Sequence, residues 1–340
     1  MPTLAEVAEK AGVSIATVSK VLSNTPYFTE ETRRKVMSAV EELGYLPNLA
    51  ARALSSGKTH LIGVVFPYVY EGIFTDPLVQ YILEGVEAEC NERGYNILLS
   101  TPRLSPDGPD ENYRRLLRSS YLDGLVALDN VPLSSVLSSD LRKNTPAVAI
   151  GYGDHPNYVR SDDLQGSTAL MEHVISLGHR RIGILTVDES LHYSIQMRHV
   201  GLDQVAEEAG LNFAHLPKYD RGDFSIASGM RAAAALLEQN ADLTALVCIN
   251  DRMALGAIQQ VQKMGLKVPD DITIVGYDDI LSAQLFSPAL TTIDQRAPEL
   301  GHRAAQMLFA LLNNENPDSV VIPTQLRVRE SSAPPKVSHQ

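Results

Sequence analysis

The sequence has few of the residues from which disulfide frameworks and metal sites are built. Its 340 residues include only two cysteines, Cys90 and Cys248, which lie far apart in or beside apolar stretches. We therefore expect two buried, reduced thiols rather than a disulfide. No cluster of histidine and cysteine has metal-ligand spacing, so neither a metal nor a cofactor is expected.

Long apolar runs and common catalytic motifs are also missing. No run approaches the roughly 18 apolar residues of a membrane-spanning helix. The first residues do not resemble a secretory signal, so we expect a cytoplasmic protein without membrane contact. There is no Gly-x-Gly-x-x-Gly after the first predicted strand, no Walker motif and no nucleophile elbow. We therefore assign no catalytic residue, and an enzyme is disfavoured.

The charge of the chain is unevenly distributed. The whole sequence carries a formal charge of −12. Residues 1–60 contain seven basic and six acidic residues, whereas the remainder contains 22 basic and 35 acidic residues. Because phosphate repels an acidic surface, only the N-terminal segment is expected to approach nucleic acid.

The N-terminal segment has the pattern of a helix-turn-helix. Apolar residues recur at helical spacing over residues 4–11, Gly12 supplies a turn, and Ser14 is a good N-cap for a second helix over residues 15–22. Thr29 begins a third helix that ends at Gly44, with Met37, Val40 and Leu43 on its apolar side. The second helix would present six residues to a DNA major groove: Ser14, Ile15, Ala16, Thr17, Ser19 and Lys20. The alternative is a three-helix bundle that only packs against the rest of the chain.

The segment after the third helix is short, apolar and rich in alanine and leucine. Pro47 interrupts the chain, residues 48–54 are too few for a stable isolated helix, and Ser55-Ser56-Gly57 follows as a linker. We therefore expect this segment to become ordered when it binds a partner.

The rest of the chain alternates predicted strands with predicted helices. Strands are expected at Leu61–Phe66, Tyr95–Ser100, Leu125–Leu128, Ala147–Ile150, Arg181–Val187, Ala245–Ile249 and Ile272–Tyr277. Helices are expected near 77–93, 110–119, 163–177, 196–209, 225–239 and 252–264. This alternation predicts two doubly wound lobes with parallel sheets. Ligands of such sheets lie beyond the carboxyl ends of the strands, near Phe74, His192, Ser194, Asn250 and Asp278.

These motifs resemble the lactose/galactose-repressor (LacI/GalR) family. The similarity begins at "TLAEVAEKAGVSIATVSKVLSN", includes "TEETRRKVMSAVEELGYLPNLAARAL", and continues through "LGHRRIGIL", "INDRMALGAI" and "VPDDITIVGYDDI" to about residue 330. It implies a helix-turn-helix head and a body like a periplasmic sugar-binding protein. It also implies a hinge helix that folds on operator DNA and wedges Leu54 into the minor groove beside Ala51 and Arg52.

The resemblance completes the set of candidate site residues. Thr3, Asn24, Tyr45 and Asn48 join the predicted DNA contacts. The predicted effector contacts are Phe74, Tyr152, His192, Ser194, Arg198, Phe224, Asn250, Asp278 and Gln295. A guanidinium and a carboxylate at Arg198 and Asp278 would bracket vicinal hydroxyls, and the aromatic rings would stack on a sugar face.

For several of these positions, a purely structural role is an alternative to effector binding. Arg198 could be a surface residue, and His192 could serve loop packing. Asp251 is expected to cap the helix starting at Arg252, and capping also competes at Asp162 and Asp163. Gly151 lacks the polar side chain that sugar-binding relatives often have there, which leaves Tyr152 as the nearest candidate.

The predicted organisation is a helix-turn-helix domain at 1–46, a hinge helix and linker at 47–59, an effector-binding and dimerisation domain at 60–330, and a flexible tail at 331–340. The N-lobe would contain about 60–160 and 293–320, and the C-lobe about 161–292 and 321–330. The predicted function is a homodimeric repressor of a pseudo-palindromic operator, controlled by a small effector. A sugar inducer is the first expectation. A nucleobase or other metabolite acting as corepressor is the alternative, and a solute-binding protein is a weaker one.

Overall fold

The residues that the structure describes fall into two units. The computed structural model describes residues 2–22, 28–45, 57–67, 73–105, 108–128, 145–152 and 155–336. The chain divides into Met1–His60, here called the head, and Leu61–Gln340, here called the body. The predicted contacts Asn24, Asn48, Ala51, Arg52 and Leu54 lie outside the described residues.

The head contains three helices, α1 (Leu4–Ala11), α2 (Ile15–Leu22) and α3 (Glu30–Leu43). Thr3 and Glu6 form a reciprocal capping box at the start of α1, which satisfies two amide groups that have no partner within the helix. Gly12 ends α1 with a φ of 65°, a conformation that favours glycine. Local capping therefore sets the boundaries that the sequence predicted.

The head core differs from the prediction in the rotation of α3. Val7, Val18, Val21 and Val36 are buried together. Met37, predicted on the apolar side of α3, is 48% exposed. Adjacent helical residues are about 100° apart around the axis, so only one of Val36 and Met37 can face the core.

The body has fourteen strands and eight helices within its described residues. The strands are β1 (Leu61–Val65), β2 (Asn96–Ser100), β3 (Leu104–Ser105), β4 (Gly108–Pro109), β5 (Gly124–Leu128), β6 (Ala147–Ile150), β7 (Tyr158–Ser161), β8 (Ile182–Leu185), β9 (Lys218–Tyr219), β10 (Ala245–Cys248), β11 (Thr273–Val275), β12 (Thr292–Asp294), β13 (Val320–Ile322) and β14 (Gln325–Arg327). The helices are α4 (Pro77–Glu92), α5 (Glu111–Arg118), α6 (Asp163–Ser176), α7 (Tyr193–Glu208), α8 (Ile226–Gln239), α9 (Asp251–Lys263), α10 (Leu281–Leu285) and α11 (Ala297–Leu312).

Two parallel sheets define two lobes. The N-lobe contains the six-stranded sheet β13-β7-β6-β5-β1-β2, and the C-lobe contains the four-stranded sheet β11-β10-β8-β9. All pairs within both sheets are parallel. The two central strands β1 and β10 are almost entirely buried, as expected for sheets covered on both faces. The predicted α/β fold class with two doubly wound lobes is confirmed.

The end of the chain returns to the N-lobe, as predicted for residues 293–320. Helix α11 packs in the N-lobe core, and β13 pairs with β7 at the edge of its sheet, so the N-lobe extends to residue 322, into the range predicted for the C-lobe. Strands β12 and β14 form a separate antiparallel pair. The chain therefore crosses between the lobes more than once. As a result, α11 belongs to the N-lobe although it follows the C-lobe elements in sequence.

Glycines allow two pairs of helices to pack at close range. A Cβ atom at Gly85 of α4 would overlap the carbonyl oxygen of Pro298 in α11, and one at Gly301 of α11 would overlap that of Ile82. The C-lobe repeats this reciprocal arrangement with Gly229 of α8 and Gly256 of α9. In both lobes, the absence of a side chain lets two backbones approach each other directly.

The segment 331–336, expected to be part of a flexible tail, lies against the C-lobe. Ser331 is fully buried, and its hydroxyl donates to the carbonyl oxygen of Ile274 at 2.5 Å. The amide of Ala333 donates to Thr273 Oγ1 at 3.0 Å, and His179 Nε2 contacts the Ala333 carbonyl oxygen at 2.9 Å. These hydrogen bonds between side chains and backbone extend the C-lobe past residue 330, a result that composition alone did not indicate.

Both cysteines are buried and free of disulfide bonds, as predicted. Burial raises the pKa of the Cys90 thiol to about 11. Neither thiol is therefore activated for chemistry.

Candidate functional site

A small cavity of about 100 Å³ lies between the two lobes of the body. Six of the nine predicted effector contacts line this interlobe cleft: His192, Ser194, Arg198, Phe224, Asn250 and Asp278. Apolar residues of the N-lobe form the opposite wall: Ile73, Leu78, Val79, Ile82 and Leu128. The sequence analysis did not assign this wall, because its members have the spacing of ordinary core residues.

Arg198 is the central charged group of the cleft. Its Nε donates to Asp163 Oδ1 at 2.8 Å and its Nη1 donates to the Ile249 carbonyl oxygen at 2.7 Å. The guanidinium lies over the Tyr277 ring, 3.8 Å from its centroid. Burial opposes the charged form, but Asp163 and the other neighbouring negative groups raise the pKa of Arg198 overall. Arg198 is therefore a fixed, permanently charged donor rather than a surface residue.

Asp278 supplies a buried carboxyl group on the same side of the cleft. Its Oδ1 accepts a hydrogen bond from Gln295 Nε2 at 2.5 Å and lies 4.0 Å from Arg198 Nη1. Burial raises the pKa of Asp278 well above its ordinary value, against the opposing effect of the Arg198 charge. Gln295 does not line the cleft. Its hydrogen bond to Asp278 instead fixes the orientation of that carboxyl group.

The helix cap beside the cleft is Asn250, and not Asp251 as predicted. Asn250 Oδ1 accepts from the Met253 amide at 3.0 Å, and its Nδ2 donates to the Phe224 carbonyl oxygen at 3.1 Å. Asp251 is fully buried and accepts from the Ile280 amide and from Thr292 Oγ1. The capping prediction was wrong because the helix starts one residue earlier, at Asp251.

The neighbouring residues Asp162 and Asp163 have different roles, because only Asp162 caps a helix. Asp162 Oδ1 caps α6 by accepting from the Gln165 amide at 3.0 Å. Asp163 instead directs its carboxylate to Arg198, as described above. Only the fold could distinguish the two roles, because the two residues are adjacent at the start of the same helix.

Two rings form one end of the cleft. His192 and Phe224 contact each other edge to face with centroids 5.1 Å apart. Phe224 has a φ of 61°, an uncommon conformation for a bulky residue that the surrounding loop maintains. Burial, followed by the charge of Arg198, lowers the pKa of His192 to about 4. His192 is therefore neutral at neutral pH and can both donate and accept hydrogen bonds.

Two predicted aromatic contacts do not line the cleft. Phe74 is 56% exposed and lies outside the lining residues. Tyr152 is engaged in the connection between the lobes, where its hydroxyl donates to the Ser161 carbonyl oxygen at 2.9 Å and accepts from the Asp163 amide at 3.2 Å. Tyr152 thus orients the segment that carries Asp163.

The structure also reveals a cleft residue that the sequence analysis missed. Asp76 caps α4 through its Oδ1, which accepts from the Leu78 amide at 3.0 Å. Its Oδ2 accepts from Arg252 Nη1 at 3.1 Å, which joins the N-lobe to the C-lobe. A second link runs from the Leu281 amide to the Tyr81 hydroxyl at 2.9 Å. The Asp-Pro start of α4 was a visible cap signal, but nothing in the sequence indicated its partner.

The predicted DNA surface of the head is mostly exposed. Ser14, Ile15, Ala16 and Lys20 are exposed, whereas Thr17 and Ser19 are half-buried. Ser14 Oγ accepts from the Thr17 amide at 3.1 Å and caps α2. Among the other predicted contacts, Thr3 is exposed but Tyr45 is buried in the head core. The start of α2 therefore presents small polar and apolar side chains together.

The described residues show no group of three or more histidine, cysteine, aspartate or glutamate side chains that could hold a metal ion. In the same residues, no helix has both the length and the apolar character needed to cross a bilayer.

Comparison with known families matches both units. Residues 3–48 match the family described as "Bacterial regulatory proteins, lacI family". Residues 171–332 match the "Periplasmic binding protein-like domain".

Individual relatives match nearly the whole chain. The HTH-type transcriptional repressor PurR of Klebsiella pneumoniae (strain 342) is 34% identical over 337 residues, which cover 97% of this chain and 96% of that protein. The Lac repressor dimer bound to operator and the anti-inducer ONPF is 27% identical with a TM-score of 0.83, over 98% of this chain and 99% of that chain. The complex of the transcriptional regulator CelR with cellobiose is 28% identical with a TM-score of 0.69, over 98% and 100% of the two chains.

Proposed function

Because the chain belongs to the LacI family and is therefore a DNA-binding transcriptional repressor with an effector-binding domain, we propose that a small sugar in the interlobe cleft controls its affinity for operator DNA. The observation that carries this proposal is the arrangement of Arg198 and Asp278. A guanidinium and a carboxyl group lie 4.0 Å apart and line the same cavity.

This pair suits a polyhydroxylated ligand. Arg198 provides directional donors, and Asp278 provides an acceptor or, when protonated, a donor. The neutral His192 and the Phe224 ring add a polar edge and an apolar face beside them. The relative CelR, described in complex with cellobiose, supports a sugar as the effector class.

A nucleobase acting as corepressor is the second candidate. The cleft is small, about 100 Å³, and its N-lobe wall is apolar. A flat ring fits between such a wall and the polar groups of the C-lobe. A nucleobase would use the same Arg198 and Asp278, so the two candidates differ in ligand and not in site.

We further propose that the protein acts as a homodimer on a pseudo-palindromic operator. The start of α2 would enter the major groove, and the predicted hinge segment with Leu54 would enter the minor groove. Ile15 and Ala16 are exposed and can contact thymine methyl groups, while Lys20 would make polar contacts with the DNA. The Lac repressor relative, described as a dimer bound to operator, supports this arrangement.

The contacts between the lobes suggest how the ligand signal would arise. Asp76–Arg252 and Tyr81–Leu281 join the two lobes next to the cleft. An effector that binds the lobes in one relative position better than in another shifts the population toward that position. The change in operator affinity cannot exceed the difference in effector affinity between the two states.

Thermal-shift screening of the full chain would test the effector class. Monosaccharides, disaccharides and purine bases are compared for the wild type and for Asp278→Asn. A sugar that raises the melting temperature of the wild type alone supports the proposal. A purine base that does so while every sugar fails would replace it with the corepressor alternative.

A band-shift assay would test DNA recognition separately. The wild type should bind a palindrome from its own genomic neighbourhood, and Leu54→Ala should bind it at least tenfold more weakly. Asp270→Asn, an exposed change on the body, serves as the control. Equal binding by the wild type and Leu54→Ala would refute the hinge assignment.

A further inference from the structure

A second and much larger cavity lies in the C-lobe, on the far side of the two rings. It measures about 690 Å³ and shares His192 and Phe224 with the interlobe cleft. The two cavities therefore adjoin at this ring pair, and the second is here called the outer cavity. None of the predicted contacts other than His192 and Phe224 lies in it.

The outer cavity occupies a position where parallel sheets bind ligands. Thr186 to Glu189 directly follow β8, and Asp220 to Phe224 directly follow β9. Both strands are parallel, so their carboxyl ends open at the same edge. The volume also fits, because ligand sites usually measure ~300–1,000 Å³ and the interlobe cleft alone is smaller than that range.

The lining of the outer cavity carries charges of both signs. Lys218 and Arg221 contribute positive charge, and four acidic residues contribute negative charge: Asp188, Glu189, Asp220 and Asp223. Asp223 already pairs with Arg231. Across the described part of the chain, neither Asp220 nor Arg221 forms an ion pair, so both side chains remain available to a ligand.

The buried part of the lining is held in place by its own hydrogen bonds. His199 Nε2 contacts Thr186 Oγ1 at 2.8 Å, and its Nδ1 contacts the Glu189 carboxylate. Lys218 Nζ lies 3.6 Å from the centroid of the Phe213 ring. These contacts fix the positions of Thr186, His199 and Lys218. Asp220 and Arg221, by contrast, are exposed and form the rim of the outer cavity.

We propose that the effector is a saccharide of at least two units, with one ring in the interlobe cleft and a second in the outer cavity. This proposal rests on the sugar effector proposed above and extends it. The linkage between the two sugar rings would pass alongside the His192–Phe224 pair, whose rings contact each other. Asp220 and Arg221 would take the hydroxyl groups of the second ring as acceptor and donor.

The balance of charge separates this ligand class from others. A phosphorylated ligand would meet four carboxylates beside the two cations, which weakens its binding. A lone nucleobase would fill the cleft and leave the outer cavity empty. A neutral ring with many hydroxyl groups can use donors and acceptors together and carries no charge that either sign would repel.

Isothermal titration calorimetry of the full chain would test the proposal with matched sugars. Glucose is compared with cellobiose and maltose, galactose with lactose and melibiose, and xylose with xylobiose. We expect one disaccharide to bind at least tenfold more tightly than its own monosaccharide. Asp220→Asn and Arg221→Met should weaken that disaccharide at least fivefold and leave the monosaccharide within twofold.

Control variants separate the outer cavity from the cleft. Asp270→Asn, an exposed change elsewhere on the C-lobe, should alter neither affinity, whereas Asp278→Asn should weaken both sugars. The three residues other than Asp278, namely Asp220, Arg221 and Asp270, are exposed, so their variants should fold unchanged. Equal affinities for the disaccharide and its monosaccharide, or no effect of the two rim variants, would overturn the two-ring site alone.

Two other results have distinct meanings. If a purine base binds and no sugar does, the proposed sugar effector fails together with its extension. If glucose 6-phosphate binds tenfold more tightly than glucose, and Lys218→Met removes that gain, the outer cavity is a phosphate site and the two-ring proposal is wrong.

Discussion

Arg252 Nη1 donates a hydrogen bond to Asp76 Oδ2 at 3.1 Å and thereby joins the C-lobe to the N-lobe beside the cleft. Both side chains are largely buried, at 15% and 8% exposure. Asp76 uses its other oxygen to cap α4. The same carboxylate therefore serves a helix terminus and an interlobe contact.

Removing this ion pair should loosen the two lobes. Asp76→Asn keeps a capping oxygen but removes the charge, and Arg252→Met keeps the bulk but removes the donors. Each should lower the melting temperature of the body, and the double variant should lose less than the sum of both. We expect a coupling energy of about 1–2 kcal/mol in a double-mutant cycle.

The exposed pair Arg231–Asp223 provides the control for that cycle. Its side chains are 56% and 52% exposed, so its coupling should be below about 0.5 kcal/mol. Additive effects at Asp76 and Arg252 would show that the contact contributes nothing to holding the lobes.

Arg198 should be the most sensitive charged residue of the cleft. Arg198→Met leaves Asp163 and Asp278 buried without their cation, which should cost about 3–5 kcal/mol. Chemical denaturation of the variant at neutral pH measures the loss. A compensating change, Asp163→Asn in the Arg198→Met background, should recover part of it. A loss below about 1 kcal/mol would contradict the buried-charge account.

The close helix pair of the N-lobe should not tolerate a methyl group. Gly85→Ala would place its Cβ against the backbone oxygen of Pro298, where no side chain can move aside. We expect destabilisation of about 1–3 kcal/mol despite the better helix propensity of alanine. Glu87→Ala, an exposed change in the same helix, should be nearly neutral. Stabilisation by Gly85→Ala would mean that α4 and α11 are further apart than described.

Protonation of His192 should destabilise the body in mild acid, against the opposing effect of Asp251 and Asp278, whose raised pKa values favour the folded state as the pH falls. The pKa of His192 is about 4 in the folded protein, below the value of about 6.5 for an unfolded histidine. The unfolded chain therefore binds more protons between pH 6.5 and 4, and stability falls as the pH falls through that window. For His192 the full window corresponds to roughly 3 kcal/mol.

Melting temperatures between pH 7 and pH 4.5 would check this contribution. His192→Gln should show a shallower decline than the wild type, whereas His215→Gln, at an exposed position, should follow the wild type. Burial lowers the pKa of His173, His179 and His199 as well, so some decline should persist in every variant. Identical slopes for the wild type and His192→Gln would refute the assignment.

Local signals in the sequence determined much of the architecture. Capping residues such as Thr3 and Thr29, with glycines at 12 and 44, specify the three head helices, because caps act within one turn. Alternation of apolar runs with helical patterns specified the parallel lobes. Resemblance to the family predicts Arg198 and Asp278 as effector contacts, and the structure brings them to one cavity.

The tertiary structure alone decided which residues meet. Asp76 and Arg252 are 176 positions apart, and the position of each residue in its own helix gives no indication of the other as its partner. Asn250 rather than Asp251 became the cap, and the expected tail at 331–336 became part of the C-lobe. The reason is common to these cases. Caps and periodicity act over a few residues, whereas ion pairs, close helix contacts and cavities depend on where distant segments cross, and that is set by packing of the whole body.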